Sequence, residues 1–355
     1  MDNGIKVNVH GHVVPVSTLG KAGKYGPWVT SDPDGRIRVR VGEQEMSSRP
    51  VAVREEMDRT GQVSPDSDPF RRMSDPELRL KEMAASGTDI MLLTGIPHFF
   101  FYWADSGMAA EFAELHNDAM ADYCSADPTR LMFLANVPLQ DPERAATEAE
   151  RAITKCGAKG LNIGVLETPG FELDREELFP LYDVASRHGA PIWLHPAPLT
   201  LAPDVPRKRY FADQIIVFPY LITKALFEFM MGGVFDTFPN LSVCAAHGGG
   251  FLPYQIGRLT TMAKVAEEKR GLAPVEDYLK NVYCDNLVHD LRPRRLLVEV
   301  LGADQVVVGD NYSGMDSADG FAMLDELGLS PDDTAKIAGE NAARIFNLAP
   351  PAARG

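Results

Sequence analysis

At 355 residues the chain exceeds a typical domain, yet a barrel of alternating strands and helices reaches this length as one unit. Hydrophobic residues make up 45% and charged residues 24%, which excludes a chain disordered over most of its length. A formal net charge of -15 with no Lys/Arg cluster repels a phosphate backbone, so nucleic acid is set aside as a partner.

The elements alternate along the chain. Residues 5–12 are predicted as a first strand, and further β-branched runs follow at 88–95, 131–137, 160–165, 191–195, 242–247, 282–286 and 305–309. Between them apolar residues recur at helical spacing over 75–86, 108–125, 141–156, 175–187 and 220–235. A last helix opens at Ser330-Pro331-Asp332-Asp333: an N-cap serine, a proline at the first helical position and acidic residues where the dipole favours them. Eight strands with intervening helices, and no Gly-x-Gly-x-x-Gly after the first, predict an α/β fold, a closed (β/α)8 TIM barrel spanning 1–355 as a single domain. Residues 13–69 break the rhythm. They are rich in Gly, Pro, Ser and Asp and too long for an ordinary connection, so they predict an irregular insertion over the barrel mouth, with a short strand at 37–41.

Cys124, Cys156, Cys244 and Cys284 are widely spaced beside apolar segments, which predicts buried free thiols and fits a reducing cytoplasm. Residues 1–7 show no basic-then-apolar leader, and no later run is read as reaching the roughly 20 apolar residues of a membrane span. Neither a targeting signal nor a membrane partner is expected.

Chemistry concentrates at strand ends. In the first strand, simple alternation sets Ile5, Val7 and Val9 on one face and Asn8, His10 and His12 on the other. Two imidazoles on one face suit zinc, manganese or iron, the alternative being a pair of solvated or core histidines. His195 ends the fifth run, and Pro196 stops the ladder after it. His247 ends the sixth, before Gly248-Gly249-Gly250, which lets backbone and substrate approach closely. His195 reads as a third ligand, and His247 as a ligand or as an acid/base beside the metal. Barrel enzymes draw catalytic residues from the C-terminal ends of several strands, which ties these histidines together.

The histidines lie within longer motifs. These include His10-Gly11-His12-Val13-Val14-Pro15, Phe101-Tyr102-Trp103-Ala104, Glu177-Leu178-Phe179-Pro180, Leu194-His195-Pro196, Met231-Gly232-Gly233-Val234-Phe235, Ala246-His247-Gly248-Gly249-Gly250, Gly257-Arg258 and Leu287-Val288-His289-Asp290. On these residues the chain resembles the second family of the amidohydrolase superfamily, and within it the aminocarboxymuconate semialdehyde decarboxylases, over most of its length. The resemblance implies a divalent metal held by His10, His12 and His195, with zinc expected first and manganese or iron as alternatives. It implies that His247 activates the water such a metal holds, and that addition to an unsaturated ring or chain precedes loss of a carboxylate as carbon dioxide. It also matches Arg258 to an arginine that reaches the neighbouring subunit's site and grips a substrate carboxylate, a task suited to a planar bidentate donor. That implies a homodimer, with a hetero-oligomer as the other arrangement; an ordinary helix-surface arginine is the plainer reading.

The chain also departs from that pattern. Where the family closes its eighth strand with a metal-binding aspartate before a tyrosine, this sequence reads Gly309-Asp310-Asn311-Tyr312-Ser313. Three arrangements are open: Asp310 swings in as a catalytic carboxylate, Asn311 serves as a weak neutral metal ligand, or the ordinary reaction is lost. Ala197 stands where the decarboxylase has tryptophan, which predicts a wider pocket. Arg36, Arg38, Arg40 and Arg49 are equal candidates for the family's arginine of the insertion. Phe101 and Trp103 are candidates for an aromatic substrate-binding wall, with core packing as the alternative. His98 and His289 are candidates for contact with substrate or a second metal, and Asp285 and Asp290 for carboxylates that orient ligand histidines.

The expectation drawn is a cytoplasmic, metal-dependent decarboxylase, a lyase acting on a small carboxylated aromatic or unsaturated compound. The alternatives are a hydrolase of the same superfamily, an iron-dependent oxygenase whose second metal uses Asp310 or His98, and a non-catalytic partner subunit that lost its metal through Asn311.

Overall fold

The computed structural model describes residues 4–197, 210–270 and 273–349. In chain order, β1 (Val7–Val13) is followed by three strands of the insertion, β2 (Trp28–Ser31), β3 (Ile37–Val41) and β4 (Gln44–Ser48). Then come β5 (Ile90–Gly95), β6 (Leu131–Phe133), β7 (Ala135–Asn136), β8 (Leu161–Val165), β9 (Ile192–Pro196), β10 (Val243–Ala245), β11 (Val282–Asp285) and β12 (Val306–Val307). β1, β5 and β6 pair in parallel, as do β7 through β12 in sequence order. Leu134 N–H donates to the Leu93 carbonyl and Ala135 N–H to the Gly160 carbonyl, each at 2.9 Å, so β6 and β7 form one kinked barrel strand. The ring closes where Val9 N–H donates to the Val308 carbonyl at 2.9 Å and His12 N–H to the Tyr312 carbonyl at 3.0 Å. The predicted eight-stranded barrel is therefore present, with no free edge.

The period-two pleat sorts the strand side chains into two cores. Val7, Val9, Ile90, Leu92, Leu134, Trp193, Cys244, Tyr283 and Val307 point inward and meet Ala342, Ile345 and Phe346 of the last helix. Phe346 lies against Gly160, just ahead of β8, so it plugs the N-terminal end of the barrel. Met91, Leu93, Ile163, Leu194, Val243, Val306 and Val308 point outward, into the layer beneath the helices.

One feature of β1 corrects the simple alternation. The register shifts between Asn8 and Gly11, a bulge that lets Val9 and His10 both turn inward and leaves Asn8 on the outer side. Asn8 therefore does not share a face with His10 and His12. In the insertion, β2, β3 and β4 form an antiparallel sheet, and Ile37, Val39 and Val41 are buried while Arg38 and Arg40 are exposed.

The predicted helices are present with shifted ends: Pro76–Ser86, Ser106–Cys124, Pro142–Arg151, Phe179–His188 and Phe218–Met231. Ser330 caps the helix that starts at Pro331, its hydroxyl accepting from Asp333 N–H at 3.1 Å. All four cysteines are free thiols, three buried and Cys156 half-buried. The run Asp213–Met231 is long and apolar enough to cross a membrane, contrary to the sequence expectation, yet half of it is buried within the protein.

Replacing Phe346, only 1% exposed, by alanine opens a void at the barrel floor. Phe346→Ala is expected to cost about 3–5 kcal/mol in chemical denaturation, and a loss under about 1 kcal/mol would contradict the plug assignment.

Candidate metal centre

Three inward-facing histidines meet at the C-terminal end of the barrel. The β1 bulge presents His10 and His12, and on β9 the alternation Trp193 in, Leu194 out brings His195 inward. Their ring centroids lie 5.0–5.3 Å apart, and one nitrogen from each falls within 4.8 Å of the other two. All three are buried.

Each ring has its Nδ1 committed elsewhere. His10 Nδ1 donates to Asp285 Oδ2 at 2.8 Å, and His195 Nδ1 to the Pro196 carbonyl at 2.9 Å. His12 Nδ1 lies 3.2 Å from Thr94 Oγ1, whose hydroxyl reaches back to the Gly11 carbonyl at 3.4 Å. These bonds fix the tautomers and leave Nε2 of each ring for the centre. His10 Nε2 is buried with no hydrogen-bond partner. Three gathered imidazole nitrogens, that of His10 orphaned, fit a divalent cation such as zinc or manganese.

His247 completes the cluster from a distorted turn. Ala246 faces inward, so an extended backbone would send the next side chain outward. Instead His247 adopts φ 54°, a left-handed conformation that turns its ring to 5.4 Å from His10 and 5.6 Å from His195. Gly248 follows at φ 63°, and its N–H donates to Asp285 Oδ1 at 2.9 Å. The carboxylate that orients His10 therefore also anchors the loop that carries His247. His247 Nε2 is buried without a partner.

His12, His195 and His247 line a recess of about 90 Å3, walled by Ile37, Val39 and Met46 of the insertion and bordered by Pro97 and His98, with His10 set behind them. Among the described residues no Lys or Arg lines it. The four candidate arginines of the insertion face elsewhere: Arg36 and Arg49 pair with Asp34, Arg38 with Asp32, and Arg40 lies over the Trp28 ring. A neighbouring cavity of about 270 Å3 shares Pro97 and His98 and is lined by Phe100, Phe101, Tyr102, Trp103 and Ala197. Phe101 and Trp103 thus border this second cavity rather than the histidine recess, and Phe101 also packs on Phe112. Arg258 is exposed on the helix Leu252–Arg270, beside Gln255, Leu259 and Met262, and does not reach its own chain's histidines.

The eighth strand resolves the Asp310–Asn311 question. Val306 and Val308 face out and Val307 faces in; the alternation continues, with Gly309 lying against His10 and Asp285 and Asp310 outside. Asp310 Oδ2 accepts from Asn8 Nδ2 at 2.8 Å and Oδ1 from Gly320 N–H at 2.7 Å. Its proposed catalytic place is corrected: it clamps β1 to the segment after β12, and burial pushes its carboxyl up to about 7. Asn311, at φ 47°, lines the recess; its Nδ2 donates to Asp316 Oδ1 at 2.5 Å, and its Oδ1 is buried without a partner. A Cβ at position 314 would lie 2.0 Å from Asn311 Oδ1, so only glycine admits this side chain.

Of the paired suggestions for orienting carboxylates, Asp285 holds His10, whereas Asp290 caps the helix Leu291–Leu301. His289 lies on Asp316, its Nε2 at 3.1 Å. His98 borders the recess with Nδ1 buried and unpartnered, and burial pulls its pKa to about 4. Asp316 was not found from sequence: it sits in a loop with no motif, and only its contact with Asn311 reveals it.

Burial, and then the neighbouring rings, hold His12 and His195 well below the ordinary histidine pKa of 6.5. Burial and then His10 also lower His247, with Asp316 and Asp285 opposing. The rings are neutral at pH 7, as ligation requires. An unfolded chain takes up protons near 6.5 that the folded chain refuses, so these rings contribute stability above that pH that is lost as pH falls. The melting temperature of the metal-free protein is expected to drop below about pH 6.5, and less steeply in His12→Gln, where one such ring is gone. Equal slopes in the two proteins would contradict this.

The same architecture recurs in known proteins. The amidohydrolase family profile matches residues 7–348. A 2-amino-3-carboxymuconate-6-semialdehyde decarboxylase of Dictyostelium discoideum is 28% identical over 313 residues, spanning 87% of this chain and 81% of that protein. A gamma-resorcylate decarboxylase of Polaromonas sp. is 26% identical over 287 residues, 76% of this chain and 86% of that one. The solved 5-carboxyvanillate decarboxylase of Novosphingobium aromaticivorans, complexed with manganese and 4-hydroxy-3-methoxy-5-nitrobenzoic acid, superposes with TM-score 0.75. That likeness covers 97% of this chain and 96% of that one at 23% identity. By the profile match across nearly its whole length, with the histidine cluster at the mouth of a closed barrel, this chain belongs to the amidohydrolase family.

Proposed function

We propose that the protein is a metal-dependent decarboxylase of a small carboxylated aromatic compound. The observation that carries this reading is the buried set His10, His12 and His195, with Nδ1 of each ring held by the protein, beside a recess that His12 and His195 line and that no cationic side chain lines among the described residues. The relatives support it, since those reported above are decarboxylases of carboxylated compounds. Manganese is the ion to test first, because a structural neighbour holds it, and zinc is the second.

Nε2 of His10, His12 and His195 would hold a divalent ion, which would supply positive charge for a substrate carboxylate. The chain's own residues do the rest. Ile37, Val39 and Met46 exclude water and flank a flat ring. His247, neutral at rest, would take up a proton from solvent and present it as imidazolium in the recess beside His10 and His195. Delivered to the ring carbon that bears the carboxylate, that proton allows the C–C bond to break. The bond's electron pair returns to the ring, carbon dioxide leaves, and His247 recovers a proton from water. Hydrolysis is less well served: Asn311 is a neutral amide that cannot act as a base, and Asp310 faces away.

We also infer a homodimer. Ile215, Ile216, Tyr220 and Phe227 on one helix and Tyr254, Met262 and Val265 on another leave large apolar side chains exposed, and Arg258 stands on the second of these. Covering this surface with a second copy explains the half-exposed apolar helix and offers the recess the arginine its own chain does not supply. Free, mostly buried thiols fit a cytoplasmic setting.

The test is carbon dioxide release from a panel of hydroxylated benzoates by manganese-loaded protein. His10→Ala is expected to abolish manganese binding. His247→Ala is expected to retain the metal and lose about 100-fold or more in kcat, and Arg258→Ala to raise KM. A fully loaded wild-type protein that releases no carbon dioxide from any of the panel would contradict the reading.

A further inference from the structure

Asn311 stands at the end of the eighth strand with its amide in the recess, and the side chain behind it decides what that amide offers. Asp316 Oδ1 accepts from Asn311 Nδ2 at 2.5 Å, while Asp316 Oδ2 is held by His289 Nε2 at 3.1 Å. An ionised carboxylate only accepts hydrogen bonds, so the amide NH2 must turn toward it and the carbonyl oxygen must turn away. The reversed amide would set two acceptors against each other. The oxygen turned away is buried and without a partner in the protein.

The backbone makes the same choice. Asn311 and Ser313 are left-handed at φ 47° and 63°, Gly314 N–H donates to the Asn311 carbonyl at 2.7 Å, and the missing Cβ of Gly314 leaves room for the amide. The loop is thus folded around one orientation of Asn311, with Asp316 as its stop.

We propose that Asp316 is a positioning residue that locks the Asn311 amide with Oδ1 aimed at the metal centre, making a neutral side chain serve as the fourth protein donor. This rests on the metal-site reading above. The charge that the family places on the ligand here lies one hydrogen bond behind it. A neutral fourth donor would leave more positive charge on the ion for a carboxylate substrate, and Asp316 controls that donor without touching the metal.

The experiment is manganese affinity by isothermal titration, with the metal-free melting temperature measured in parallel. Asp316→Leu is expected to weaken binding about tenfold or more, the usual scale for groups that orient ligands. The same change made on Asn311→Ala should have no further effect, because the route through Asn311 is already gone. Asp316→Asn keeps an acceptor for the Asn311 NH2 and should stay within about threefold of wild type; it also serves if the leucine variant does not fold. Unchanged affinity in Asp316→Leu, an equal loss in the Asn311→Ala background, or a tenfold loss in Asp316→Asn would each overturn the proposal, the last two showing that Asp316 acts by charge alone. If instead His10→Ala leaves wild-type manganese affinity unchanged, it is the metal-site reading that fails.

Discussion

The site depends on one buried carboxylate. Asp285 ends β11 on the inner side of the barrel, fully buried, and uses both of its oxygens. Oδ2 fixes the tautomer and angle of His10, and Oδ1 accepts from Gly248 N–H in the loop that carries His247. A charge taken out of water is tolerated only with such donors around it, and bonds to a charged acceptor are about twice as strong as neutral ones. Asp285 therefore ties three strand ends into one geometry, so the proposed metal ligands and the proposed proton carrier are not independently placed.

A second constraint follows from crowding. One nitrogen of each of His10, His12 and His195 lies within 4.8 Å of the other two, His247 stands 5.4 Å from His10 and 5.6 Å from His195, and burial with the neighbouring rings lowers the pKa of His12, His195 and His247, so this crowd of ring nitrogens calls for a positive centre. A divalent cation answers that need with one charge centre. It would also give the recess a positive potential that no Lys or Arg among the described residues supplies. The inserted sheet contributes to this by its pleat: it turns Ile37 and Val39 toward the recess and Arg38 and Arg40 toward solvent.

Much of this was legible in the sequence because strand ends announce themselves. A β-branched run closed by His-x-His, by His-Pro or by His-Gly-Gly-Gly identifies both an element and its candidate functional tip, and eight β-branched runs in all, three of them closed this way, predict a barrel. What alternation alone misplaced are its local exceptions. The β1 bulge moved Asn8 off the histidines' face, and only the left-handed backbone at His247 turns that ring inward. Alternation did hold at the eighth strand, where it sends Asp310 outward onto Asn8 and Gly320 and leaves Asn311 inside. Asp316 could not be read at all, since its contact arises from a loop that folds back onto Asn311 five positions earlier. The apolar helix Asp213–Met231 was missed for a different reason: its length counts as a spanning segment, yet its inner half is ordinary barrel packing.

The central claim is that three inward Nε2 atoms hold one divalent ion. Its most direct test is anomalous diffraction at the manganese edge from crystals grown with that ion. The account predicts one strong peak about 2.1 Å from Nε2 of His10, His12 and His195, with the Asn311 oxygen turned toward it. A peak placed elsewhere, or coordination through Asp310, would contradict it.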